Sequence, residues 1–154
     1  VLGPLLGMGS KPNADLVDQF LDTFSALARF TATRAIPKLS EAQRTDLLAQ
    51  LDSMAHDMDS VESLQPKMRA FLMTLGGIAD NLVVRLISND LQAQFVERML
   101  QLHPRPSLKP ELLRELVSGM RLGVENRDGE AVAYALDVHF LSMRALVAQA
   151  LASD

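Results

Sequence analysis

Apolar residues return every three or four positions along most of this chain, a spacing that places them on one face of a helix. The first such stretch follows Asn13, which is suited to an N-cap, and ends near Ile36 because Pro37 disfavours helical geometry in the residue before it. Its predicted core face consists of Val17, Phe20, Leu21, Phe24, Leu27, Ala28 and Thr31. No segment shows the alternation of apolar and polar residues that indicates a strand.

Start and stop signals predict two further helices in the middle of the chain. Ser40 and Gln43 have the spacing of a capping box, in which each side chain bonds the backbone N–H of the other residue. The helix that follows is expected to bury Leu47, Leu48, Leu51, Met54, Ala55 and Met58. A third helix is expected from near Pro66 to a stop at Gly76-Gly77. Its predicted core residues are Met68, Phe71, Leu72 and Leu75.

The C-terminal half predicts three more helices. The first covers about 79–102, and a proline-rich loop follows at 103–110. The inward residues expected on that helix are Leu82, Leu86, Phe95, Met99 and Leu102. The next helix covers about 110–125, and the last is capped by Asp128 and ends near Ala152. The predicted fold class is therefore all-α, an antiparallel bundle of six to seven helices.

Composition limits the classes of protein that fit this sequence. Its 154 residues suffice for one domain with a core. Hydrophobic residues make up 48% of the sequence and aromatic residues only 5%, which favours the packing of aliphatic helices. The absence of cysteine excludes disulfides and thiolate sites and is compatible with a reducing cytoplasm. A net charge of −4 argues against nucleic-acid binding by this chain itself, since phosphate binding needs clustered Lys and Arg. No apolar run approaches the length of a membrane span, so no membrane contact is expected.

Motifs for catalysis are missing from the sequence, and we expect no enzyme. It has no glycine-rich phosphate loop after a strand, no H-E-x-x-H pair and no EF-hand loop. One histidine, His139, lies within the apolar stripe of the last helix. A polar ring at that place needs a hydrogen bond, a metal or a ligand in a cavity. The common explanation is a core histidine satisfied by its neighbours, and the alternative is a ligand site.

Three arginines lie in apolar surroundings along the sequence. Arg29 and Arg34 lie near the end of a predicted helix of small and apolar residues. Arg85 lies in the apolar run 82–87. An arginine facing a cavity suits a carboxylate or phosphate, because its guanidinium offers planar two-point hydrogen bonding. The alternative is that these side chains reach solvent or pair with Asp and Glu.

Several segments, taken in order, resemble the C-terminal effector domain of GntR-type regulators of the FadR subfamily. Residues 68–82 resemble that family's D-x-x-F-H-x-x-L and G-N-x-x-L motifs, with Asp80-Asn81 in place of Gly-Asn. Residues 126–132 resemble its x-x-x-D-x-E-A-A turn, and His139 follows Asp128 by eleven residues, as the last-helix histidine of that family does. Residues 16–35 resemble its first helix, so the likeness covers nearly the whole chain.

The resemblance implies a cytoplasmic, homodimeric sensor that binds a small organic effector within its helices. It divides the chain into a connector remnant at 1–11 and a helical effector-sensing domain at 12–154. A winged-helix DNA-binding domain would precede them and make the only DNA contacts, because this sequence is expected to begin inside a longer protein. Val1 to Met8 has neither an initiator Met nor the basic region of a signal peptide.

The family's metal site is incomplete in this sequence. Many members hold a metal through one Asp and three His, but the corresponding positions here are Met68, Leu72 and Val117, with His139 alone remaining. One imidazole does not hold a divalent ion well, so no metal and no other cofactor is expected. The resemblance therefore implies the metal-free branch of the family, whose effectors include fatty acids and acyl-CoA, and other carboxylates fit as well.

These observations favour a ligand-sensing domain that controls DNA binding by an attached domain. The expected cavity lies between the first, third, fourth, fifth and last helices, with His139 on its wall. The candidate ligand-binding residues are His139, Met68, Leu72, Arg29, Arg34, Asn81, Arg85 and Val117. A helical dimerisation or adaptor module with a filled core and no ligand is the alternative, and a small all-α enzyme is a third hypothesis.

Overall fold

A computed structural model describes residues 14–56, 61–99 and 109–152 of this chain. Within those ranges it contains six α-helices, one short 3-10 helix at Ile36–Lys38 and no strand, which confirms the all-α prediction. The helices are α1 (Ala14–Ala35), α2 (Glu41–His56), α3 (Val61–Ala79), α4 (Leu82–Met99), α5 (Pro110–Glu125) and α6 (Gly129–Ala152). The predicted connector at 1–11 and the N-cap Asn13 lie outside the described residues.

The antiparallel pair α1 and α6 forms the centre of the bundle. Each of these helices has a second partner, since α1 packs on α3 and α6 packs on α5, while α2 lies against both α3 and α5. The largest side chains that are fully buried are aliphatic, with the exception of Phe71. The core therefore matches the composition, which is rich in Leu, Val and Met and poor in aromatics.

Ion pairs fix the register of α1 against α6. Arg29 donates to Glu130 Oε2 and to Asp137 Oδ2, each at 2.6 Å. Toward the other end of the pair, Arg144 bonds Asp22 and lies 3.4 Å from Asp18 Oδ1. Residues with higher numbers in α6 pair with residues of lower number in α1. The two helices are therefore antiparallel. A shift of one turn would separate these charges.

The ends of the helices form largely where the sequence predicts. In the capping box before α2, Gln43 N donates to Ser40 Oγ at 3.1 Å and Ser40 N donates to Gln43 Oε1 at 2.9 Å. Asp128 caps α6, accepting from Ala131 N at 3.2 Å. The predicted bounds of α5 agree with the structure, and Pro110 occupies its first turn.

The connection from α5 to α6 is a tight turn that needs two glycines. Asp128 N donates to Gly123 O at 2.8 Å, and Arg127 adopts a positive φ of 51° between them. A Cβ on Gly123 would lie 2.5 Å from Val132 Cγ2, and one on Gly129 would lie 2.8 Å from the Cα of Thr33. Because neither glycine carries a side chain, the start of α6 approaches α5 and α1 more closely than any other residue at these two positions would allow.

The predicted bounds of α3 are wrong at both ends. The helix begins at Val61 rather than near Pro66, which lies inside its second turn and removes one backbone hydrogen bond there. It continues through Gly76-Gly77 to Ala79, because both glycines keep helical geometry and the chain reverses later, at Asp80 with a φ of 57°. Asn81 then caps α4, accepting from Val84 N at 3.0 Å.

The predicted orientation of α4 is also wrong, and the helix begins at Leu82 rather than near 79. Its predicted end at 102 lies outside the described residues. Leu82 and Leu86 are exposed, whereas Val84 and Ser88 are half-buried and Leu91 is buried. The run 82–87 is apolar on nearly every face except Arg85, so its pattern does not identify the side that meets the core. The predicted inward residues Phe95, Met99 and Leu102 have side chains outside the described part.

Among the helices that the structure describes, α6 alone has the length and apolar composition of a membrane span, with a mean hydropathy of 1.4 over its most apolar window. The sequence-based expectation that no such segment exists was therefore too strong. Helices that are mostly buried in a protein core also meet this criterion, whereas only 28% of this window is buried inside the bundle. Its contacts with α1 and α5 and its bonded Asp137 and Arg144 are those of a helix packed within a bundle.

Candidate functional site

A pocket opens between α1, α3, α4 and α6, with a cavity volume of about 50 Å³. Its apolar side is formed by Phe24, Leu27, Ala28, Leu72 and Phe140. Its polar side is formed by Arg85, Ser88, Asn89 and Gln92 of α4, and Thr31, Met73 and Gly76 complete the lining. We refer to this site as the α4 pocket.

The polar side of the α4 pocket follows from helical periodicity. Its four residues have the spacing i, i+3, i+4 and i+7, so they occupy one face over two turns of α4. Two amide side chains, one hydroxyl and one guanidinium thus lie along the same side of the pocket. Together they supply both hydrogen-bond donors and acceptors. Such a lining is typical of a site that orients a polar group of a ligand.

The apolar side is held in place by ring packing. Phe24 of α1 and Phe140 of α6 stack with centroids 5.9 Å apart and planes 8° from parallel, and Phe20 meets Phe24 edge-on at 5.0 Å. Offset and edge-on aromatic pairs are favourable arrangements. The wall opposite α4 is therefore built from rings that constrain one another.

Arg85 gives the pocket its one charged lining residue. Its aliphatic stem passes over Gly76, and its Cγ lies 3.5 Å from the place of a Cβ on that glycine. Unlike Arg29 and Arg144, it forms no ion pair with any residue in the described ranges. A guanidinium without a carboxylate partner is available to an anionic ligand.

Only two of the predicted ligand-binding residues line this pocket, namely Leu72 and Arg85. Met68 and Val117 pack in the main core instead. Arg34 is exposed, and its guanidinium carbon lies 5.3 Å from the ring centre of Phe30. Asn81 serves as the cap of α4.

Arg29 is already paired within the chain. Of the two partners of Arg29, Asp137 lies nearer to the core. Its side chain is 27% exposed, compared with 73% for the side chain of Glu130. The hydrogen bonds that Arg29 donates to Asp137 and then to Glu130 raise the pKa of its guanidinium above the usual value. Its charge is therefore neutralised by α6, which is the alternative that the sequence had left open.

His139 does not lie on the wall of the α4 pocket, where the sequence reasoning placed it. The adjacent residue Phe140 lines the pocket instead, and the two rings are 5.5 Å apart. His139 Nδ1 is fully covered and has no hydrogen-bond partner among the described residues. Burial lowers the pKa of His139 to about 4, so the ring is neutral at pH 7.

The sequence reasoning missed most of the polar wall. Ser88, Asn89 and Gln92 are not among the ligand-binding residues that the sequence predicts. Their spacing with Arg85 on an otherwise apolar helix was the available clue. The pocket also differs from the cavity that the sequence predicts, because α5 contributes no residue to its walls.

No group of three metal-ligating side chains occurs within residues 14–56, 61–99 and 109–152. The lining of the α4 pocket is likewise without a carboxylate or imidazole, so its chemistry suits an organic anion better than a cation. Comparison of the chain with protein-family models, curated proteins and solved structures found no match.

Proposed function

We propose that this chain is the effector-sensing domain of a cytoplasmic bacterial transcription regulator, similar to the FadR subfamily, that takes a small organic carboxylate into the α4 pocket. It acts without catalysis or cofactor. The observation that carries the proposal is the pocket itself, in which an unpaired guanidinium and three neutral polar side chains face a wall of aliphatic and aromatic groups.

The chemistry of the two walls defines the ligand class. Arg85 supplies a two-point contact for a carboxylate, and Asn89 and Gln92 supply amide donors beside it. Phe24 and Phe140 present an apolar surface to the other end of the ligand. A carboxylate joined to a short hydrocarbon satisfies both sides, whereas a neutral hydrocarbon would leave the polar face without partners.

The size of the cavity favours a short ligand. A volume of about 50 Å³ is small beside the roughly 300–1,000 Å³ of pockets that enclose drug-sized molecules. It holds a group of about the size of acetate. A longer chain would have to leave through the mouth or displace Met73, whose side chain is 46% exposed. Short-chain carboxylates are therefore favoured over long-chain acyl groups.

The position of the pocket suggests how binding would be transmitted. Its lining comes from α1, α3, α4 and α6, so a bound ligand would stabilise one arrangement of four helices. Such a ligand shifts the population toward the conformation that it binds best. An attached DNA-binding domain would respond to that shift, and it would supply the DNA contacts that a chain of net charge −4 does not favour.

A chain-length series tests this proposal. Thermal unfolding is measured with straight-chain carboxylates from acetate to decanoate at about 10 mM each, with the matching primary amides and sodium chloride as controls. We expect stabilisation by the acids of about two to four carbons, less by the longer acids, and none by the amides. Equal stabilisation by acids and amides would contradict recognition of a carboxylate by Arg85. No effect of any acid would contradict the proposal as a whole and favour the ligand-free adaptor.

A further inference from the structure

Among the methionines whose side chains the structure describes, Met73 alone is exposed. It lies on α3 and is 46% exposed, whereas Met54 and Met120 are completely buried in the main core. Met68 and Met143 are half-buried against that core. A thioether is oxidised where an oxidant can reach its sulfur. Met73 is therefore the most accessible of these five methionines to oxidation.

Met73 also lines the α4 pocket. Gly76, another lining residue, follows it by three positions, so the two share a face of α3. The stem of Arg85 passes over Gly76, with its Cγ 3.5 Å from the place of a Cβ. Arg85 therefore crosses α3 about one helical turn from Met73, or roughly 5 Å along the axis. The flexible methionine side chain, with three rotatable bonds, can reach across that distance.

The pocket wall opposite Met73 offers donors that a thioether hardly satisfies. Arg85 carries a guanidinium, and Asn89 and Gln92 carry amide N–H groups. Arg85 forms no ion pair with any residue of the described ranges. Thioether sulfur is a weak acceptor, whereas oxidation makes the side chain polar by adding an oxygen. Oxidised Met73 would thus present an acceptor to a guanidinium that lacks one.

We propose that Met73 is an oxidation site whose sulfoxide binds Arg85 and closes the α4 pocket to carboxylates. The oxidant is a hydroperoxide, of which hydrogen peroxide is the simplest. The sulfur lone pair of Met73 attacks one peroxide oxygen, so an S–O bond forms as the O–O bond breaks. The departing hydroxide takes the proton of the transferred oxygen and leaves as water. The sulfur is oxidised by two electrons and the peroxide is reduced by two.

The sulfoxide of Met73 then acts as a tethered competitor. Its oxygen accepts hydrogen bonds from Arg85, the group that the proposed function assigns to a carboxylate, and the inference rests on that function for its effect on ligand binding. Methionine sulfoxide is reversible, because two thiols of a reductase remove the oxygen as water and become a disulfide. The switch is therefore reset when the thioether is restored.

Peptide mapping by mass spectrometry tests the oxidation site. The folded chain is treated with hydrogen peroxide, and the uptake of one oxygen is followed at each methionine over time. Met73 is expected to react at least about ten times faster than Met54 and Met120, whose sulfurs become accessible only when the chain opens. Equal rates at Met73 and Met120 in the folded chain would overturn the inference.

Labelling of arginines with phenylglyoxal tests the contact with Arg85 and needs no ligand. Oxidation is expected to slow the labelling of Arg85 by at least about threefold, because the sulfoxide oxygen then occupies its guanidinium. Arg34, which is exposed outside the pocket, should label equally fast before and after oxidation. In M73L, oxidation should not change the labelling of Arg85. An unchanged rate at Arg85 in the oxidised unmodified chain, or equal slowing in M73L, would overturn the inference.

Calorimetric titration of butanoate measures the consequence for binding. Oxidation is expected to lower the affinity of the unmodified chain by about tenfold, as the loss of one charge-assisted hydrogen bond implies. M143L, which lacks a half-buried core methionine outside the pocket, should lose affinity to the same extent. M73L should keep after oxidation the affinity that it has before. An equal loss in M73L, or no loss in the unmodified chain, would overturn the inference.

These measurements separate the inference from the proposed function. If the untreated chain binds no butanoate but oxidation still protects Arg85 from labelling, the proposed function fails and the contact between oxidised Met73 and Arg85 stands. If the untreated chain binds butanoate and oxidation leaves both the labelling of Arg85 and the affinity unchanged, the proposed function stands and the oxidation switch fails.

Discussion

The stem of Arg85 on α4 lies against Gly76 on α3, with the arginine Cγ 3.5 Å from where a Cβ on the glycine would stand. The absence of a side chain at Gly76 leaves the space through which Arg85 passes, and both residues line the α4 pocket. A distance of 3.5 Å is ordinary van der Waals contact, so a methyl group fits there without a clash.

This relationship predicts opposite outcomes for two substitutions at Gly76. G76A is expected to raise the free energy of unfolding by about 0.5–1 kcal/mol, because it removes a glycine from a helix without a clash. G76L is expected to displace Arg85 and abolish carboxylate binding. Chemical denaturation and calorimetric titration measure the two effects.

The adjacent Gly77 is the control for both substitutions. A Cβ on Gly77 meets nothing within 4 Å, so G77L should leave binding unchanged. Loss of binding in G77L as well would show that distortion of α3, and not the position of Arg85, is responsible.

A second prediction concerns the close approach of α6 to α1. G129A is expected to lower the free energy of unfolding by about 1–3 kcal/mol, because its Cβ would lie 2.8 Å from Thr33 Cα and 2.9 Å from Ala32 O, both backbone atoms. G77A is a matched glycine substitution in open space and should not destabilise the chain. Urea denaturation compares them, and equal stability of the two variants would show that the start of α6 is not closely packed.

A third prediction concerns pH and His139. Because burial lowers its pKa from 6.5 to about 4, the folded chain binds fewer protons than the unfolded chain between those values. Stability is therefore complete above pH 6.5 and falls as the pH drops toward 4, by about 3 kcal/mol in all. Denaturation midpoints at pH 7 and pH 5 should separate less in H139L than in the unmodified chain.

The control for this prediction is H56L, since His56 is exposed. H56L should keep the full loss of stability at pH 5. Because His139 does not line the α4 pocket, H139L should also keep carboxylate binding. A loss at pH 5 that is as large in H139L as in the unmodified chain would show that other groups cause it.

Local signals predicted most of the helix boundaries, and the failures have a common origin. The capping box at Ser40, the cap at Asp128 and the proline at Pro110 act over one turn, so the sequence alone identifies them. The predicted helix end at Gly76-Gly77 was wrong because glycine weakens a helix without necessarily ending it. The packing of Arg85 over Gly76 could not be predicted from the sequence.

The candidate site was harder to predict because it depends on which way a helix faces. The apolar run 82–87 fits the core on several sides, so the inward placement of Leu82 and Leu86 was wrong and the polar wall from Arg85 to Gln92 was missed. Likewise, the stripe of α6 identified a buried segment at 139–140, but only packing showed that Phe140 and not His139 meets the pocket.

Calorimetric titration of butanoate into three proteins tests the central claim, that Arg85 holds a carboxylate in the α4 pocket. The unmodified chain and R34M, which removes an exposed arginine outside the pocket, are expected to bind equally. R85M keeps the aliphatic stem but loses the charge, and its affinity is expected to fall at least about tenfold, as the loss of a charge-assisted hydrogen bond implies. Equal binding by R85M and R34M, or no binding by the unmodified chain, would contradict the account.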